Sequence, residues 1–248
     1  MPFGAQLKEL YEDKPDVFQL IGEGYVLRVP KFTDAEIPRS DYARLPQKYR
    51  ELARYVDIAV PRFATIVAEG LVPPMSEPGP VNYMIVEWVE GETLDSVTRT
   101  RGVPREQLDA FLSGLASYLH QAAASHAQFL ADIFHLDQYT FGTAKSVPNE
   151  RIWLTDLEPQ YLRINDPSFD PMPVFLFQAE HVIKSFLHCE RYLGQTLASA
   201  RHAIEQLLAH IAAIDPSAAS EMGDMLLHPG DHDDYYSSSW FRRRPSAS

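Results

Sequence analysis

The 248-residue chain is 45% hydrophobic and 11% aromatic, enough to fill a core, which excludes wholesale disorder. A formal net charge of −12 excludes a dedicated nucleic-acid binder, because neutralising phosphates takes clustered Lys and Arg. The one cysteine, Cys189, leaves no intramolecular disulfide. No apolar run reaches membrane-spanning length and "MPFGAQLKELYEDKPD" has no signal-peptide core, so the expectation is a cytoplasmic protein with no membrane partner.

In chain order, a short helix near residues 6 to 11 precedes "DVFQLIGEGYVLRVPKF", two strand-like runs around Gly22, Glu23 and Gly24 that predict a tight hairpin. Tyr42, Leu45, Tyr49, Leu52 and Val56 recur at helical spacing, with Pro46 expected to break or kink the first part. "RFATIVAEGLV" is a strand candidate, and the turn "VPPMSEPGP" leads into "VNYMIVEWVEGETLDS". That stretch reads as a buried strand with Glu87 and Glu90 at its exit, a turn on Gly91 and an immediate helix.

From Pro104 the pattern changes. "PREQLDAFLSGLASYLHQAAASHAQFLADIF" is one long helical pattern with Pro104 placed for its first turn. A hairpin follows, with "QYTFGT" and "RIWLTDL" as strands and "AKSVPNE" as the turn. Beyond it, "QAEHVIKSFLHCERYLGQTLASARHAIEQLLAHIAAI" predicts two helices meeting near Gly194, ahead of a polar and then basic tail. Strands gathered early and helices late predict an α+β chain of two lobes: a small lobe over 1–86, a connector over 87–92, a helical lobe over 93–230 and a tail over 231–248.

A β-rich small lobe, an extended connector and a helical lobe with an embedded hairpin resemble the protein-kinase-like fold, closest to its aminoglycoside-phosphotransferase and choline-kinase branch. "VEWVEGETL", Val86 to Leu94, resembles that branch's hinge, with Glu, Gly and Leu in register. The resemblance implies that backbone groups around Glu87 and Val89 bind the adenine edge of ATP. "IWLTDLEP" ends a strand in Asp156, the position of the family's metal-binding Asp, where a carboxylate suits Mg²⁺ bridging nucleotide phosphates. Asp156 as a turn cap before Pro159 is the plainer alternative.

The family's catalytic loop reads His-x-Asp, four residues, then Asn, and two registers compete for it here. In one, Asp132 is the base that orients or deprotonates the acceptor hydroxyl and Asp137 replaces the Asn as a metal ligand, leaving "QYTFGT" free to form a strand. In the other, "HLD", His135 to Asp137, is the His-x-Asp, nineteen residues before Asp156, and the Asn position falls on Gly142. Asp132 as an ordinary helix-end residue and His135 as a semi-buried histidine stand against both.

In the small lobe the resemblance puts Arg28 where the family has the phosphate-pairing Lys, with Lys31 beyond Pro30, and makes Glu51 the partner Glu. Glu51 facing Lys48 one turn earlier on its own helix is the alternative. Only one hairpin fits before Arg28, so the small lobe lacks the Gly-rich loop whose N–H donors shield the transferring phosphate. The resemblance therefore implies a degenerate member: a pseudokinase-type nucleotide- and Mg²⁺-binding or scaffold protein with a protein partner and weak or absent phosphotransfer. An active ATP-dependent phosphotransferase for a small hydroxylated substrate is the alternative, and a structural helical protein without nucleotide is the third.

Overall fold

The structure, a computed structural model, describes residues 18–20, 24–28, 43–70, 79–124, 133–157 and 172–228. The expected N-terminal helix, Asp132 and the tail 231–248 lie outside the described residues. Strands β1 (Phe18–Leu20) and β2 (Tyr25–Arg28) pair antiparallel, with Phe18 opposite Leu27 and Leu20 opposite Tyr25. Gly24 enters β2 at φ +77°, a left-handed conformation that side chains with a Cβ disfavour.

Helix α1 (Leu45–Leu52) holds Pro46 in its first turn rather than being broken by it, since that turn needs no N–H from the residue. The three- and four-residue spacing puts Leu45, Tyr49 and Leu52 on one face, all with no exposed surface, and Val56 continues the stripe. Strands β3 (Phe63–Gly70) and β4 (Gly79–Glu87) pair along their length, from Phe63 opposite Val86 to Gly70 opposite Gly79. Strand β4 also pairs with β2, Arg28 opposite Met84 and Tyr25 opposite Glu87, giving a four-stranded antiparallel sheet in the order β1-β2-β4-β3. Met84 and Val86 are buried while Ile85 is half-buried, the two-residue alternation of a sheet with one face on the core.

After exposed Trp88 the chain does not turn at Gly91. Val89–Thr93 forms strand β5, and helix α2 (Leu94–Thr100) begins at Leu94, where the Thr93 hydroxyl caps it by accepting from the Ser96 N–H at 3.3 Å. Helix α3 (Arg105–Ala124) buries Leu108, Phe111, Leu112, Leu115 and Leu119. Its Gly114 is a packing requirement: a Cβ there would stand 2.6 Å from the Tyr55 carbonyl oxygen and 2.7 Å from Val56 Cα.

A 3₁₀ turn over Leu136–Gln138 leads into β6 (Tyr139–Ala144) and β7 (Val147–Leu154), and these complete a second antiparallel sheet in the order β5-β6-β7. The turn between β6 and β7 is only Lys145 and Ser146, so most of the expected turn "AKSVPNE" is strand. Pro148 is tolerated because β7 is an edge strand, where a missing N–H breaks no ladder bond.

Helix α4 (Met172–Leu193) ends before Gly194, which takes φ +60°, and α5 (Ala198–Ile214) follows. A further helix, α6 (Pro216–Leu227), begins at the Asp215 cap. All eleven side chains from Phe175 to Phe186 other than Phe177 are buried, so this stretch of α4 is enclosed by α2, α3, α5 and α6. One hydrophobic cluster joins Val26, Met84 and Val86 of the first sheet to Phe111, Phe134 and Phe186 of the helical part. The described residues are thus mixed α+β, with two small sheets and mostly helices. Among the described residues no helix is long and apolar enough to cross a membrane.

Candidate functional site

Two of the carboxylates that the sequence marks, Asp137 and Asp156, stand at the open end of the β6–β7 hairpin. The last ladder pair is Tyr139 opposite Leu154, and two residues beyond it on either strand stand Asp137 and Asp156. The Gln138 carbonyl accepts from the N–H groups of Thr155 and Asp156, both at 3.1 Å, which ties the two segments together. The Thr140 and Thr155 hydroxyls add a 2.8 Å bond across the strands. Asp137 is exposed and Asp156 half-buried.

Strand β6 takes up "QYTFGT" from Tyr139 onward, which places Gly142 inside a ladder rather than in a loop. Gly142 faces Gly91 across the β5–β6 ladder, and a Cβ on it would lie 2.1 Å from the Glu90 carbonyl oxygen. A Cβ on Gly91 would lie 2.3 Å from the Phe141 carbonyl oxygen, so both glycines serve close approach of two backbones. Trp153 covers this crossing, donating its indole N–H to the Gly142 carbonyl at 2.9 Å.

At the end of β4, Glu87 has a use that backbone-centred reasoning missed. Its buried carboxylate accepts from the Ser146 N–H and the Ser146 hydroxyl, both at 2.7 Å, and from the Arg62 N–H at 3.3 Å. Burial works to raise its pKa, but the bonds from Ser146 and Arg62 outweigh it and hold the carboxyl below its ordinary value. Two backbone donors are already engaged: Glu87 N–H bonds the Arg62 carbonyl and Trp88 N–H the Gly24 carbonyl, both at 2.7 Å. Val89 is buried opposite Ala144 and packs with Trp153. A short hydrophobic strand that closes on a Glu is the one sequence signal for the Glu87 contact, and nothing local points to Ser146.

Glu51 lies on the outer face of α1, bonded by Gln47 at 3.2 Å and paired with Lys48 at 3.7 Å. Arg28 stands on β2 opposite Met84, with its side chain outside what is described, as is all of Asp132. His135 is half-buried with its ring 4.2 Å from that of His181 on α4, and Ser185 of the same helix donates to the Phe134 carbonyl at 3.0 Å. Central helix α4 therefore anchors the segment that leads into the 3₁₀ turn. It also holds a buried ion pair, Lys184 with Glu180 at 2.9 Å, and Gln178, whose buried amide has no hydrogen-bond partner. Cys189, with no exposed surface, has its thiol pKa pushed far up, first by burial and then by the Asp95 charge, which makes it inert as a nucleophile.

Among the described residues no group of three or more His, Cys, Asp and Glu side chains is placed to hold a metal ion. The donor set that is present still fits Mg²⁺, which takes one or two carboxylates and fills its shell with water and phosphate oxygens. No family model matches the chain, and no curated protein matches it in sequence. Among solved structures it is similar to a MAP kinase from Leishmania major, with 13% identity and a TM-score of 0.34 over 89% of this chain and 72% of that one. At that level of likeness no shared topology follows.

Proposed function

We propose that the chain is a degenerate kinase-like domain that holds a Mg²⁺–nucleotide weakly, transfers phosphate slowly or not at all, and acts through a protein partner. The observation that carries this reading is the pair Asp137 and Asp156, brought to one end of a hairpin by the Gln138 carbonyl. In this reading the two carboxylates are the metal ligands, and the connector backbone at Glu87 and Val89 borders the base. Arg28 of β2 is assigned the part of the family's phosphate-pairing lysine, a planar fork in place of a compact charge. Glu51 supports Arg28 only if it leaves the Lys48 pair that it makes on α1. Phosphoryl transfer depends on positioning and on donors around the moving phosphate, so a small lobe without a Gly-rich loop binds better than it catalyses. The corresponding organisation is a small lobe over 1–86, a connector over 87–92 and a helical lobe over 93–230.

The same two aspartates favour a second reading, an active phosphotransferase for a small hydroxylated substrate with Asp132 as base. A thermal-shift series separates these. A ligand that binds only the native state raises its melting temperature, so the rise is expected with ATP and Mg²⁺ together and not with either alone. No rise at millimolar ATP overturns nucleotide binding. Turnover that is lost in Asp156→Ala, on any acceptor, replaces the pseudokinase reading with the enzyme.

A further inference from the structure

The two sheets meet at the end of β4, and one side chain there bonds to both. Glu87 is 3% exposed, and its carboxylate takes the Arg62 N–H just ahead of β3 together with both donors of Ser146. Ser146 belongs to the two-residue tip of the β6–β7 hairpin in the other sheet. Its neighbour Lys145 lies against Gly24, with Cδ 3.9 Å from where a Cβ on that glycine would stand. The tip therefore touches the first sheet at the start of β2 and at the end of β4.

This contact controls the connector for a geometric reason. Only Trp88 separates β4 from β5, and β5 begins at Val89 directly opposite Ala144, the residue ahead of the tip. Wherever the tip is held, the start of β5 is held with it. A carboxylate buried this deeply is stable only while its donors stay in place, and two of the three come from Ser146. Moving the hairpin away strips the charge of most of its hydrogen bonds, so the contact favours one setting over a range of them.

We propose that Glu87 and Ser146 form a clasp that fixes the angle between the two sheets and thereby the pose of residues 87 to 89. Glu87 is then a positioning residue that acts through its side chain. The clasp stands on hydrogen bonds within the chain, and only its consequence for ligand affinity rests on the nucleotide reading above.

Amide hydrogen exchange on the full chain tests it, using Ser146→Ala as a variant that removes one bond at a hairpin tip without emptying the core. Exchange at Ser146, Trp88 and Val89 is expected to quicken by about tenfold, the worth of one charge-assisted hydrogen bond, with α3 and α4 unchanged. Ser146→Thr keeps the hydroxyl and should restore slow exchange, while Ser146→Asp sets a second carboxylate against the first and should quicken it further. Exchange that is unaltered at the connector, or that rises equally in α4, overturns the clasp. Affinity for ATP with Mg²⁺ is read in parallel. Localised exchange in a protein that shows no nucleotide binding supports the clasp and rejects the nucleotide reading.

Discussion

In the four-stranded sheet the central strand β4 is paired on both sides and turns Met84 and Val86 inward, whereas the three-stranded sheet closes on two facing glycines, Gly91 and Gly142. The first sheet forms because alternate residues are apolar and a helical core waits beneath them. The second forms because two backbones approach more closely than any side chain allows, under the Trp153 ring. Burial thus tolerates changes of shape in the first sheet, while the second depends on the absence of atoms. The aspartates stand just past the end of the second sheet, the one with less room to adjust.

The largest expected effect falls on the shared core. Phe111, with no exposed surface and its ring edge-on to Tyr139 at 4.7 Å, links α3 to the start of β6. Phe111→Ala should cost about 3–5 kcal/mol by denaturant unfolding. Gly91→Ala sharpens the comparison, because a single methyl drives into the Phe141 carbonyl; a loss of about 1–3 kcal/mol is expected, seen as a lowered melting temperature. An Ala at Gly91 that leaves stability unchanged breaks the account of the second sheet. In the helical part, Asp109 of α3 accepts from the Ser199 and Ala200 N–H groups at the start of α5, and Asp109→Ala should cost about 1–2 kcal/mol.

The smallest effects are set by pH. Burial, then the charge of His120 whose ring is 5.1 Å away, holds His210 below its ordinary pKa of 6.5, so the unfolded chain takes that proton more readily. This contribution is intact above pH 6.5 and declines as pH falls below it, and His210→Gln should flatten the slope in a melting series. Glu87 is held below its ordinary 4.5, so its contribution is present above that pH and is lost as pH falls through the folded-state value. Ser146→Ala should shrink this second, more acidic step and leave the first alone.

Much of the fold was legible wherever periodicity is strong: the β1–β2 hairpin, the stripe of Leu45, Tyr49 and Leu52, the long α3, and the meeting of α4 and α5 at Gly194. Three elements were not. Gly91 reads as a turn because a strand glycine demanded by a facing glycine fifty-one residues away leaves no local mark. Pro148 and its polar neighbours read as a loop because edge-strand position is a tertiary fact. Helix α6 carried a signal that went unused, Asp215 followed by Pro216, the cap and first-turn pair. Of the site, the neighbourhood of Asp137 and Asp156 follows from the hairpin pattern, but the bonds of the Glu87 carboxylate depend on where a distant turn lands.

The central claim, that these two aspartates hold a magnesium-bound nucleotide, is tested most directly by calorimetric titration of ATP into the wild type and Asp156→Asn, each with and without Mg²⁺. Binding should require Mg²⁺ in the wild type and weaken by about tenfold or more in the variant, at least about 1.4 kcal/mol. Equal affinity in both proteins, or binding indifferent to Mg²⁺, contradicts it.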